Sequence, residues 1–316
     1  MGGSARGSWS GHLGFVLAAA GSAIGLGNIW MFPYRTGANG GAAFVLVYLA
    51  AVICVGVPLL VAEVLIGRST RRNPVGAFRI LRAGSAWPLV GWLGVLAGFV
   101  ILSYYGVVAG WALDYTWRSA TASGLEAMAR DGTTSAFEVL MADGLRQVVL
   151  QALFMVMCIV VVARGVEAGI ERASKILMPL LLALVLVLLG YSLTSPGASE
   201  GLAFFLNPRF DELSSAGVLA ALGQAFFSLS IGMGAMITYG SYLEPSQDLR
   251  RAAFLIAAMD TVMAVLAGLV IFPLVFSFGL EPGAGPGLVF ITLPKAFNLM
   301  PGGVVLATAF FALLLF

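Results

Sequence analysis

Gly21-Ser22-Ala23-Ile24-Gly25-Leu26-Gly27-Asn28 interrupt an apolar stretch that would otherwise run as one membrane helix. Glycines inside a helix each cost about 1 kcal/mol relative to alanine, and here three of them crowd together and a carboxamide follows. The chemistry this suggests is ion and small-molecule binding, because a broken membrane helix frees carbonyls and helix ends to act as ligands. Ile231-Gly232-Met233-Gly234 repeats Ile24-Gly25-Leu26-Gly27 about five spans later, an odd offset that reverses the direction of crossing. Such an offset is the mark of an inverted repeat with paired broken helices. The plainer reading of Gly21 and Gly25 is a GxxxG packing face; Gly94/Gly98 and Gly106/Gly110 share that spacing, so the repeat, not GxxxG, favours a break.

Asp260 is the sharpest single residue. Intramembrane acids are costly and functional by default, and its neighbours Met259, Val262, Met263 and Val265 offer no base to neutralise it. Glu63, five residues before Arg68, reads as structural, accepting hydrogen bonds from freed backbone. Asp114, close to a span end, is expected to reach water. Cys54 and Cys158 sit in apolar segments and read as buried thiols. The single histidine, His12, excludes a His-rich metal cluster and argues against a Ser/His/Asp triad, so no catalytic residues are assigned.

The elements that must position these groups are membrane helices. The 316 residues are 60% hydrophobic and 10% charged, against about 45–50% and about 25% in soluble domains. A net charge of +2, with no basic run among aromatics, gives no reason to expect a nucleic-acid partner. Leu13 to Ala20 could be mistaken for the core of a secretory signal, but the apolar pattern runs on to Pro33 without a polar cleavage region. Eight segments approach the ~20 residues a span needs, roughly 13–34, 41–66, 88–117, 147–163, 176–193, 217–240, 252–277 and 302–316. With the N-terminus cytoplasmic, internal loops hold 11 of the 17 Arg and Lys residues, and the 68–82 loop has five arginines and no acid. Residues 119–146 carry a weak amphipathic pattern at Phe137–Met141; residues 278–301, rich in Gly and Pro, fit either a surface turn or a loop folded back over an outer cavity. The eighth segment, about 22 Å of helix against a ~30 Å hydrocarbon core, reads as a fragment that stops partway through a span. Counting along the spans at ~1.5 Å per residue brings Ser22–Asn28, Tyr104-Tyr105, Ser228–Gly234 and Asp260 to one level near the bilayer midplane, as in a transporter site.

Gly21–Asn28 with Trp30, Phe32-Pro33-Tyr34 and Asn39-Gly40-Gly41-Ala42-Ala43-Phe44 resembles the first-helix signature of the neurotransmitter:sodium symporters. Gly223–Gly234 resembles their sixth helix, Tyr104-Tyr105 with Trp111 their third, and Gly285–Leu288 with Leu293-Pro294 their fourth external loop. The likeness covers essentially the whole chain and is nearest to bacterial amino-acid transporters. It implies an all-α membrane fold of two inverted five-helix repeats with helices 1 and 6 broken. Residues 1–316 would be one transporter domain, with a first repeat at about 12–194 and part of a second at about 217–316. The resemblance implies a first Na+ site at Ala23, Asn28, Ser228 and Asp260, and part of a second at Gly21 and Ile24. The substrate pocket would be Ser22, Ala23, Leu26, Gly27, Ile101, Tyr105, Phe227, Ser228, Ser230 and Met233. Tyr105 would bind the substrate carboxylate while Phe227 closes over it; Arg6, Trp9 and Tyr242 would form the cytoplasmic gate.

Position 25 is where monoamine transporters of the family carry aspartate, so Gly25 favours an amino acid over a bare amine. The apolar lining of Ile101, Phe227 and Met233 points to a hydrophobic or aromatic side chain, with methionine adaptable. Animal members bind chloride beside positions matching Tyr48, Gln224 and Ser228; the Asp260 carboxylate would supply that charge and repel the anion. Met31 replaces the usual outer-gate arginine, leaving that salt bridge absent or rebuilt with Arg35, and the remaining ligands of the second Na+ would lie past Phe316. The expectation is a Na+-coupled, chloride-independent symporter of a bacterial inner membrane, using one or two Na+ and no organic cofactor, with homo-oligomer formation left open. The alternatives are a channel or non-transporting receptor on the same scaffold, and an intramembrane enzyme, disfavoured because His12 lies far in depth from Ser228 and Asp260.

Overall fold

The computed structural model describes Trp9, residues 11–130 and residues 135–315, and the described chain is helical throughout, without strands. Arg6 lies outside the described residues. The first apolar segment is two helices, α1 (His12–Ala23) and α2 (Gly27–Ala38), bent by 43° at the glycine-rich stretch. Ile24 takes an extended conformation (φ −84°, ψ 122°) that ends α1. The amides of Asn28 and Ile29 then both turn back onto the Gly25 carbonyl, each at 3.1 Å. The first turn of α2 is π-helical over Gly27–Met31; Pro33, which follows, has no N–H to give the ladder, and a widened turn accommodates that loss.

Four long helices follow: α3 (Ala42–Thr70), α5 (Pro88–Ser119), α8 (Gly144–Ala163) and α9 (Gly169–Leu193), with the short α4 (Pro74–Leu81) between the first two. Between α5 and α8 stand α6 (Ala122–Ala129) and α7 (Ala136–Ala142), the latter opened by a capping box between Ser135 and Glu138. The amphipathic pattern at Phe137–Met141 is therefore a helix that buries Phe137 and Leu140. The rest of the chain forms α10 (Ala198–Leu206), α11 (Ser215–Ser228), α12 (Ala235–Gly240), α13 (Leu249–Ser277), α14 (Leu288–Leu299) and α15 (Gly303–Leu313).

Among the described residues, five helices are long and apolar enough to cross a membrane, six if the bent pair counts as one. The expected segment 217–240 differs: α11 stops at Ser228 and α12 starts at Ala235. Between them Gly232 (φ 85°) and Gly234 (φ 74°) occupy left-handed conformations that suit glycine, and Ser230 does so at φ 54° without that freedom. α13 is the most enclosed span, packing on α1, α2, α3, α9, α10 and α14, whereas in α8 only Phe154 is fully buried. Arg68 and Arg71 of the arginine-rich loop donate to the carbonyls of Gln247 and Leu243, at 2.8 and 3.0 Å, tying α3 to the chain after α12.

Two expectations need correction. Asp114 does not reach water: it is buried between Arg118 (2.9 Å) and Arg146, which α8 brings beside α5. A buried carboxylate persists when paired. Cys54 is exposed on the flank of α3 and Cys158 is half-buried, so neither packs as a fully buried thiol.

Candidate functional site

Asp260, Ser228, Asn28 and Tyr48 come from α13, α11, α2 and α3 and meet in the core, each at most 1% exposed. The Asn28 amide donates to the Asp260 carbonyl (2.9 Å) and to its Oδ1 (2.8 Å). That turns Asn28 Oδ1 toward Ser228 Oγ, which lies 2.7 Å from it and 2.9 and 2.8 Å from the two Asp260 oxygens. Tyr48 donates to Asp260 Oδ2 at 3.3 Å. A serine hydroxyl has one proton and serves one acceptor at a time. The two Asp260 oxygens, Asn28 Oδ1, Ser228 Oγ and the Tyr48 hydroxyl therefore crowd together with too few hydrogens between them, an arrangement suited to a hard cation.

Beside this cluster the helix break supplies more oxygen. Among the described residues, the carbonyls of Gly21, Ala23 and Ile24 receive no backbone N–H. The Ser22 carbonyl accepts from Ser230 Oγ at 3.0 Å, a bond that holds Ser230 in its strained conformation. Ser22 is otherwise exposed, whereas Ala23, Leu26 and Gly27 are buried. The Ile24 side chain faces an apolar hollow of about 310 Å³ lined also by Leu17, Met178 and Met263.

The aromatic pair expected over the pocket is present: Tyr105 and Phe227 have ring centroids 5.9 Å apart, tilted by 51°. A Cβ on Gly27 would meet the Phe227 ring at 3.0 Å, and one on Gly25 the Tyr105 hydroxyl at 3.5 Å. Ile101 and Met233 are half-buried, with the Met233 backbone 3.2 Å from where a Cβ on Gly94 would stand. The Gly94/Gly98 pair thus lets α5 approach the 229–234 segment. Tyr104, expected at the same level, is 40% exposed, and the ring that meets Phe227 is that of Tyr105.

Glu63 accepts from the Gly232 N–H at 2.6 Å, the freed-backbone bond anticipated for it. Glu63→Ala should remove a charge-assisted bond, costing about 1.5–3 kcal/mol, while Glu63→Gln keeps an acceptor and about half that stability; thermal unfolding of both variants measures the difference. Trp9 is buried, stacked on Tyr239 at 5.5 Å and edge-on to Tyr242 at 6.2 Å, with its indole donating to the Tyr239 carbonyl at 3.1 Å.

Two residues, named from the sequence only as matching the chloride-lining positions of animal relatives, make direct polar contacts at the site. Tyr48 is a carboxylate partner, although it is one aromatic in a uniformly apolar run. Gln224, one turn before Ser228, donates to the Gly27 carbonyl and accepts from Arg35, both at 3.2 Å. The loop after α13 does fold inward, since the Trp30 indole donates to the Pro286 carbonyl at 2.7 Å.

The family profile described as Sodium:neurotransmitter symporter family matches residues 6–126 and 138–316. The chain is 44% identical over 308 residues to the uncharacterized sodium-dependent transporter YhdH of Bacillus subtilis (strain 168), covering 98% of the chain and 68% of that protein. It is 38% identical over 319 residues to an uncharacterized sodium-dependent transporter of Haemophilus influenzae, covering 98% and 70%. The crystal structure of MhsT in complex with L-phenylalanine is 50% identical, with a TM-score of 0.94, over 98% of this chain and 70% of that one.

Proposed function

Because the chain belongs to the sodium:neurotransmitter symporter family, we propose that it couples Na+ entry to import of a hydrophobic or aromatic amino acid by alternating access. The observation that carries this reading is the cluster of Asn28, Ser228 and Asp260 oxygens beside the unbonded carbonyls of the first helix break. In this reading Na+ is cargo, held first by Ala23, Asn28, Ser228 and Asp260 together with the substrate carboxylate. The Gly21 and Ile24 carbonyls contribute to a second ion position. The two breaks, at 24–26 and 229–234, belong to inverted five-helix repeats, with residues near 12–194 forming the first.

The substrate lies between the breaks. Its carboxylate faces Tyr105 and the half-helix that starts at Gly27, where helix N-termini favour anions. Its side chain lies against Ile101, Phe227 and Met233, with Ser22, Leu26 and Ser230 completing the wall. MhsT was solved with L-phenylalanine, which supports an aromatic substrate here. Gly25 leaves the amine end without a fixed acid. Asp260 supplies a permanent negative charge at the ion site, so chloride is not required. Trp9, Tyr239, Tyr242 and Arg6 close the cytoplasmic side of a protein resident in a bacterial inner membrane.

A binding screen of the twenty amino acids in detergent, with Na+ or choline, tests the reading. Saturable binding of aromatic or branched apolar amino acids that disappears without Na+ is expected, and gluconate in place of chloride should leave it unchanged. Binding indifferent to Na+ would overturn the symporter assignment; a sharp fall in gluconate would overturn chloride independence alone.

A further inference from the structure

No Asp or Glu lies between Glu63 and Asp114, and the five arginines of that stretch divide into two groups. Arg68 and Arg71 are engaged on the carbonyls of Gln247 and Leu243. Arg72, Arg79 and Arg82 are exposed, and among the described residues none of the three pairs with a carboxylate. A charge so placed is available to a partner outside the chain.

The helix α4 and the turn after it fix two of these charges beside an exposed tryptophan. Pro74 and Ala77 are the buried residues of α4, and a Cβ on Gly91 would stand 2.7 Å from the Val75 nitrogen, so α4 sits directly on the first turn of α5. Arg79 stands about 200° round the helix from Ala77, on the outward side. Arg82 closes α4, its N–H donating to the Phe78 carbonyl at 3.1 Å. Ser85 Oγ then donates to the Arg82 carbonyl at 2.7 Å and accepts from the Trp87 N–H at 3.4 Å. The Phe78 and Trp87 rings stack with centroids 6.1 Å apart. Arg79, Arg82 and Trp87 therefore hold a fixed relation to one another. The surface around them is apolar: Ile80 and Leu81 between the arginines are exposed, as are Trp87 itself and Leu89, Trp92 and Leu93 just beyond it. α5 is long and apolar enough to cross a membrane, so its first exposed turn marks where hydrocarbon begins. Trp87 stands at that boundary, the level that amphipathic aromatic side chains favour.

We infer that Arg79, Arg82 and Trp87 hold the headgroup of an anionic phospholipid from the leaflet on this side, with its acyl chains along Leu89, Trp92 and Leu93. Guanidinium groups match phosphate oxygens in forked, charge-assisted pairs. Residues three apart at a helix end have Cβ atoms about 5–6 Å apart, close enough for two guanidinium groups to share one phosphate. A zwitterionic headgroup brings its own ammonium to the same point and is repelled, so the site selects net negative charge. The exposed apolar side chains beside the arginines favour a lipid over a soluble anion, because the acyl chains cover them. The lipid site is separate from the oxygen cluster around Asp260 and does not depend on which amino acid is carried.

Quenching of tryptophan fluorescence by dibrominated phosphatidylglycerol and dibrominated phosphatidylcholine, titrated into the full chain in a neutral detergent, tests this. The parent should bind phosphatidylglycerol about 25-fold more tightly than phosphatidylcholine, about fivefold for each of two arginines. Arg79→Gln combined with Arg82→Gln should bring the two lipids within about threefold of each other. Arg250→Gln combined with Arg251→Gln removes the same charge from exposed positions at the start of α13 and should leave the preference intact. Trp87→Phe should lose the high-affinity part of the quenching, which places the lipid beside that ring. A preference that survives in the Arg79 and Arg82 variant, or quenching unchanged in Trp87→Phe, would overturn the proposal. So would an equal fall in the Arg250 and Arg251 variant, which would mark diffuse surface charge. Reversal of the quenching by millimolar inorganic phosphate would assign the arginine pair to a soluble anion and overturn the lipid's role.

Discussion

Asp260→Asn should weaken Na+ binding about 10³-fold while leaving the protein folded. A cation and a carboxylate 4 Å apart attract by about 4 kcal/mol at an effective dielectric constant of 20, and each 1.4 kcal/mol is tenfold in affinity. The amide keeps the shape of the carboxylate and one oxygen acceptor for Asn28 Nδ2 and Ser228 Oγ, which lie 2.8 and 2.9 Å from Asp260 Oδ1. Its loss is therefore mainly one of charge. Without Na+ the sign reverses: the parent holds a fully buried carboxylate with donors only from neutral groups. An uncompensated buried charge is costly, so the variant should melt at the same temperature or higher in choline and lower than the parent in Na+. Na+ titrations of intrinsic fluorescence and paired melting curves measure both effects. A variant with parental Na+ affinity would remove Asp260 from the ion site.

The pieces that were legible in the sequence are those whose local chemistry conflicts with a membrane helix. Gly21–Gly27 conflicts through conformational cost, and the chain bends there. Asp260 conflicts through charge, and it lies at the point where four spans meet. Facing was not legible. In lipid both sides of a helix are apolar, so no amphipathic stripe marks the side that packs. This is why Cys54 lies exposed and why Tyr48, in the same apolar run, faces the carboxylate. Asp114 was misread for a related reason: Arg118 is close in sequence, but Arg146 reaches it only because α8 returns along α5. Nor does sequence separate a glycine that breaks a helix from one that lets two backbones touch, because both occur at the same spacings.

Gly67 is of the second kind, and Gly67→Ala should lower the melting temperature by about 6–12 °C and substrate affinity together. A Cβ there would stand 1.9 Å from the Ile237 carbonyl oxygen and 2.9 Å from the Ser241 nitrogen. On the facing helix, a Cβ on Gly240 would stand 2.5 Å from the Val64 carbonyl. α3 and α12 therefore pack backbone to backbone, the close approach that small residues permit. No side chain can rotate away to admit the methyl group, so the helices must part by about an ångström, and the strain falls at the upper end of the 1–3 kcal/mol typical of overpacking. At about 2–4 °C per kcal/mol for chains of 150–250 residues, about 3 kcal/mol gives the stated shift. The effect on binding follows from position. Glu63 is one turn before Gly67 and holds the Gly232 N–H at 2.6 Å, so parting α3 from α12 pulls on the segment that carries Ser230 and Met233. Gly190→Ala is the control, because nothing lies within 4 Å of its Cβ position; helix propensity alone should then make it neutral or slightly stabilising. Equal melting curves for Gly67→Ala and Gly190→Ala would show that the contact between α3 and α12 yields without cost.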